Sequence, residues 1–145
     1  MAELCEVVIT APDPGWLEDL SRKLVEQRLC ASAHNFAPVR SIYRWRGEIY
    51  ERTEGRVSLH TRRDRVAEIV AVAKKEHPYE VPGISTRTIA DGNPDYLMWI
   101  SQETAPDQSR PRDRNDESCF AASSPSWGTT AVLHANREWI GDQPP

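Results

Sequence analysis

Apolar positions over the first hundred residues alternate between short β-type runs and helical stripes. LCEVVIT (4–10) is short, β-branched and bounded by APDPG, which predicts a first strand. Asp13 is placed to cap a helix that Pro14 opens. Trp16, Leu17, Leu20, Leu24 and Leu29 recur near helical spacing, so the helix is expected to run to about Arg28. CASAHNFAPVRSIYRW alternates well enough for a long second strand, in which Pro38 removes one ladder donor and marks a bulge or an edge. Arg46–Gly47 reads as a tight turn, after which EIYERTEGRVSLHT returns antiparallel with Gly55 as a second irregularity. Asp64 or Thr61 is expected to cap a second helix with the stripe Val66, Ile69, Val70, Ala73, which His77–Pro78 stops. GISTRTIA (83–90) supplies strand four, and Asn93 and Pro94 open a short terminal helix, PDYLMWISQE.

The order β-α-β-β-α-β plus a helix predicts an α+β, ferredoxin-like sandwich with a long projecting β-hairpin and a short C-terminal helix. Strands of this length, at about 3.3 Å per residue, make a hairpin of roughly 40 Å. That exceeds a globule of about 100 residues with a radius of gyration near 13 Å, so the hairpin is expected to project and to pack on something. Alternation puts Val39, Ser41, Tyr43 and Trp45 on one of its faces and Arg40, Ile42, Arg44 and Arg46 on the other. A neighbouring copy of the chain is the natural partner.

Composition changes near Thr104. The first unit is read as residues 1–104, and 105–145 as a Pro/Ser/Asp-rich tail expected to be disordered, because SRPRDRNDES and AASSPSWG bury too little to offset their ordering entropy. Removing that tail is expected to leave assembly and melting temperature almost unchanged.

The net charge of −4 gives no general pull towards phosphate or anionic lipid. RSIYRWRG interleaves basic and aromatic residues as a single-strand binder would, but LCEVVIT of strand one and RVSLHT of strand three carry no aromatic, so no nucleic-acid partner is expected. Three cysteines (Cys5, Cys30, Cys119) without CxxC spacing suit reduced thiols. With no basic-then-apolar leader and no apolar run near 20 residues, the reading is a cytoplasmic protein without a membrane partner.

No GxSxG, HExxH, P-loop or GxGxxG is present, so no enzyme is expected. His34 and His60 read as packed or edge histidines, and Cys5 and Cys30 as small buried residues. His77 stays open between two roles. A helix C-terminus stabilises an imidazolium, with Tyr79 and Val81 packing into the core, whereas imidazole also suits copper or zinc.

Taken together, LVEQRLCASAHNFAPVRSIYRWRGEI, the strand leading to HTRRD, EHPYEVPG and DGNPDYLMWI resemble the CutA family of divalent-ion tolerance proteins over roughly residues 3–104. The resemblance implies a PII-like, ferredoxin-fold subunit in a tight homotrimer, linked to copper tolerance, with copper(II) or another divalent cation as its ligand. In such an assembly, where each donor is repeated three times, His77, then Cys30, are the candidate metal ligands, and Tyr43, Trp45, Glu48, Tyr79 and Glu80 the candidate inter-subunit cleft or interface. Where the family usually reads LAACVN this chain reads LCASAH. Ser32 therefore stands at its cysteine and His34 at its asparagine, while GISTRTI replaces EIIALPV and brings in Arg87. A sensor of a small anionic metabolite and a trimeric scaffold are the alternative readings.

Overall fold

Alternation along the first strand assigns the two faces of the sheet: Cys5, Val7, Ile9 and Ala11 are all 0% exposed, while Glu6 and Thr10 between them are only half-buried. In the computed structural model, which describes residues 2–106, that strand is β1 (Leu4–Ala11). It is followed by α1 (Pro14–Glu26), β2 (Ser32–Trp45), β3 (Glu48–Arg62), α2 (Val66–Glu76), β4 (Ile84–Thr88) and α3 (Pro94–Glu103). Residues 107–145 of the expected tail, Cys119 among them, lie outside the described residues. The strands form one antiparallel sheet in the order β2-β3-β1-β4, the split βαβ topology. Val7, Ile9, Val57 and Leu59 meet Leu17, Leu20 and Leu24 of α1 and Ile69 and Ala73 of α2 in the core between sheet and helices.

The Asp13 carboxylate accepts the Gly15 N–H at 2.9 Å, as a cap should. The helix then stops at Glu26, two residues before the expected end, because Arg28 turns left-handed at φ 60°. Arg28 N–H donates to Val25 O and Leu29 N–H to Leu24 O, a Schellman closure in which Leu29 follows Leu24 into the core. The Arg28 side chain donates to the terminal carbonyls of α3, Glu103 O at 3.0 Å and Gln102 O at 3.3 Å, which joins the two helix ends.

The start of α2 differs from expectation. Neither Asp64 nor Thr61 caps it: Arg63–Arg65 form a 3₁₀ turn, and α2 has Arg65 at its N-cap with no side-chain bond. Thr61 is buried and its hydroxyl donates to Leu29 O at 2.6 Å, while Asp64 accepts from Arg62. A buried hydroxyl facing an orphan carbonyl is better satisfied there than at a solvated helix start. At α3 the expected cap holds, with Asn93 accepting the Asp95 N–H at 3.1 Å.

The hairpin has both expected irregularities. Register shifts between Phe36 and Val39, where Ala37 and Pro38 face Gly55 across the ladder. Gly55 is also where α1 comes closest: a Cβ there would meet Pro14 Cα at 3.0 Å and Leu17 Cδ1 at 3.1 Å. β1 ends at the Ala11–Gly55 pair, so β2 and β3 continue alone to the Trp45–Glu48 pair. The turn places Arg46 and Gly47 at φ 48° and 82°, the twist that favours tight hairpins.

Candidate functional site

The loop after α2 begins at His77, which leaves the helix in extended conformation. Only 8% exposed, it is a buried ring rather than the exposed helix-end imidazolium that the sequence suggested. Its Nε2–H donates to Thr10 O at 2.8 Å and its Nδ1 accepts the Tyr79 N–H at 3.0 Å, which fixes a neutral tautomer with both nitrogens engaged. Trp16 packs edge-on against the ring, with centroids 5.1 Å apart. Burial pushes its pKa below the ordinary value, against the opposing pull of the Thr10 carbonyl and the Glu54 charge. In this state His77 offers a cation no free lone pair.

Cys30 fits a cation no better. It is 1% exposed, and burial raises its thiol pKa to about 12, so the thiolate that binds metals is scarce at neutral pH. It also sits just past the far end of α1, while His77 packs against Trp16 in the first turn. Most of the helix therefore lies between them. Among the described residues no three His, Cys, Asp or Glu side chains converge in metal-ligating geometry.

Beyond His77 the loop passes the end of β1, where Gly83 O accepts the Thr10 N–H, and meets the hairpin both near its base and at its turn. The Tyr79 hydroxyl donates to the Glu54 carboxylate at 2.9 Å, and burial followed by the Glu54 charge raises the phenol's pKa. Glu80 pairs with Arg46 at 3.6 Å. Tyr43 stacks on Tyr50 at 5.7 Å and accepts a hydrogen bond from Arg52 Nε at 2.9 Å. Tyr79 and Glu80 therefore do meet the hairpin that carries Tyr43, Trp45 and Glu48, but within one chain. Val81, expected in the core, is 64% exposed. Trp45 Nε1 is buried without a hydrogen-bond partner among the described residues.

The open face of the sheet holds a cluster that periodicity alone did not reveal. Glu6 of β1 faces His60 of β3 directly across the ladder, and Ser32 of β2 faces His60 on its other side. His60 Nδ1 lies 2.6 Å from the Tyr96 hydroxyl of α3, which is 3.4 Å from Ser32 Oγ. His60 Nε2 lies 3.7 Å from Glu6 Oε2, and the His34 ring centroid is 5.3 Å from that of His60. Burial and the adjacent His34 lower the His60 pKa, while Glu6 opposes them. The sequence signal was parity: once β1, β2 and β3 are in register, Glu6, His34 and His60 must share a face. An open groove of about 410 Å³ between α1 and the β2 edge contains none of these side chains or of the expected ligands.

The profile described as "CutA1 divalent ion tolerance protein" matches residues 5–103. The "Divalent-cation tolerance protein CutA" of Pyrococcus horikoshii is 39% identical over 68% of this chain and 95% of its own. The "Protein CutA homolog" of Xenopus laevis is 34% identical over 67% of this chain, and the match spans 64% of that longer relative. Among solved structures, the divalent cation tolerance protein Cut A1 of Thermus thermophilus superposes with a TM-score of 0.67 at 36% identity, covering 72% of this chain and 99% of its own. Among the described residues no helix is long and apolar enough to cross a membrane.

Proposed function

Since the chain belongs to the CutA1 divalent ion tolerance family, we propose that it is a homotrimer that binds divalent cations, copper(II) first among them, and holds the metal without turning over a substrate. The observation that carries this reading is the family match across the whole described fold. Two features of the hairpin support self-assembly. Ile42 and Ile49 stand 65% and 66% exposed on the face opposite Tyr43, an apolar pair that a neighbour would cover. The buried Trp45 indole N–H lacks an acceptor, and leaving such a donor unmade costs about 1–3 kcal/mol that a neighbour's carbonyl would recover.

His77 enters this reading as a strut for the Tyr79–Glu80 loop. Ligation through its ring would break either the bond to Thr10 O or the one from Tyr79 N–H. Native mass spectrometry of the full chain at micromolar concentration is expected to show a trimer, and Ile42→Glu with Ile49→Glu to weaken it. A stable wild-type monomer would overturn the assembly. Calorimetric titration is expected to show Cu²⁺ uptake and no heat with a panel of nucleotides. Nucleotide binding without Cu²⁺ uptake would favour an anionic-metabolite sensor, and binding of neither would favour a scaffold.

A further inference from the structure

We propose that the outer edge of β2 at residues 32–36 is the docking site of a segment of this chain that lies outside the described residues, TTAVLH (129–134), which adds to the sheet there as a fifth strand. Such docking is independent of cation binding, and it gives the C-terminal tail a place that composition alone does not suggest.

β2 ends the strand order β2-β3-β1-β4, so residues 32–36 pair with β3 on one side and, among the described residues, with no strand on the other. An open edge of this kind is a template for whatever strand lies near it. Both sides of the edge also expose an apolar side chain. On the helix side, the groove of about 410 Å³ is lined by Ser21, Arg22 and Val25 of α1 and by Ala33 and Asn35 of β2. Val25 on its wall is 41% exposed. On the opposite face Phe36, which pairs with Arg56, is 54% exposed. A strand laid along the edge covers both, because its side chains alternate between the two faces.

The chain leaves the described fold close to this edge. Arg28, just before β2, donates to the Gln102 and Glu103 carbonyls at the end of α3, which brings Pro106 near the start of β2. Residues 107–128 lie between that exit and Thr129, and a linker of this length reaches up to about 70 Å, against roughly 17 Å for five strand residues. Tethering holds the segment near the edge at an effective concentration of about a millimolar, so a modest affinity is enough. TTAVLH has the composition of an added strand: β-branched Thr129, Thr130 and Val132, with no proline, carboxylate, lysine or arginine. Alternation sends Ala131 and Leu133 to one face, into the groove against Val25, and Val132 to the other, against Phe36. The site stops at the register shift between Phe36 and Val39, so the projecting hairpin stays free for a neighbouring copy.

The test is amide hydrogen exchange on the full chain, read residue by residue by nuclear magnetic resonance, for wild type and for Val132→Asp with Leu133→Asp. Wild type is expected to protect residues 129–134 and the amides of 32–36 that point away from β3. The double substitution changes no residue of the described fold, so it should speed exchange in both segments at least about tenfold while β1 keeps its protection. Val25→Asp, on the exposed groove wall, should release 129–134 in the same way. Fast exchange of 129–134 in wild type would overturn the docking. Protection of the outward amides of 32–36 that survives the double substitution would also overturn it, and would give the edge to a second copy of the chain.

Discussion

His77 and His60 sit on opposite sides of β1 and differ in what is left free on the ring. His77 is closed on all sides: a carbonyl takes its hydrogen, an amide fills its lone pair and Trp16 covers one edge. His60 has one nitrogen held by a phenol that can reverse its role, and another facing a carboxylate too distant to bind it tightly. A ring whose two nitrogens both meet fixed backbone groups can only hold structure together. A ring with adaptable partners keeps its chemistry available. Position on a helix end, which drew attention to His77 in the sequence, decides less than the kind of atoms that meet the ring.

The largest expected consequence of this difference is in stability. His77→Ala removes a buried ring, strands the Tyr79 N–H and the Thr10 carbonyl, and empties the space beside Trp16, so a loss of about 2–4 kcal/mol is expected in urea unfolding at fixed chain concentration. His60→Ala, at a partly solvated site, should cost less than about 1.5 kcal/mol. Equal losses would erase the distinction between the two rings.

Acid should separate them next. Both rings have pKa values lowered by burial, so in the folded chain each stays neutral where the unfolded chain already takes up a proton. The unfolded state therefore binds more protons below the ordinary histidine value of 6.5, and their contribution to stability is complete above that pH and is lost as pH falls below it. Stability measured from pH 7.5 down to 5 should decline. His77→Gln should flatten the decline more than His60→Gln, because His77 is the more deeply buried residue, 8% exposed against a His60 side chain 18% exposed. A decline untouched by either substitution would assign it to other groups.

Much of the fold was legible because each element carries its own local signal: the β-branched run of β1, the Asp13–Pro14 and Asn93–Pro94 helix starts, the Pro38 bulge and the Arg46–Gly47 turn. What was hidden depended on contacts between elements. Thr61 looks like a cap until Leu29 O is found beside it, and nothing in the periodicity shows that carbonyl. Arg28 reads as one more helical residue, yet takes a left-handed turn and bonds α3 across the molecule. Val81 looks apolar enough for the core, but the loop that holds Tyr79 on Glu54 turns it outward. The same limit hid the open-face cluster. His34 and His60 are unremarkable in their own strands, and only the register of three strands places them with Glu6.

The smallest expected effect tests the contrast in its finest detail, the tautomers. Nitrogen chemical shifts of the imidazoles should show His77 almost wholly as the Nε2–H form, since Thr10 O can only accept and Tyr79 N–H can only donate. His60 should also begin as Nε2–H, but for a removable reason: its Nδ1 faces a hydroxyl free to take the other role. Tyr96→Phe deletes that hydroxyl on a residue 37% exposed, so stability should change by less than about 1 kcal/mol. The His60 tautomer should then be held by Glu6 alone across 3.7 Å and move towards a mixture, while His77 does not change. A His60 ring that stays in one form would mean that Glu6 already fixes Nε2–H firmly and that Tyr96 is a bystander. A His77 ring found as Nδ1–H would reverse the donors and acceptors assigned around it, and with them the reason for calling that histidine closed.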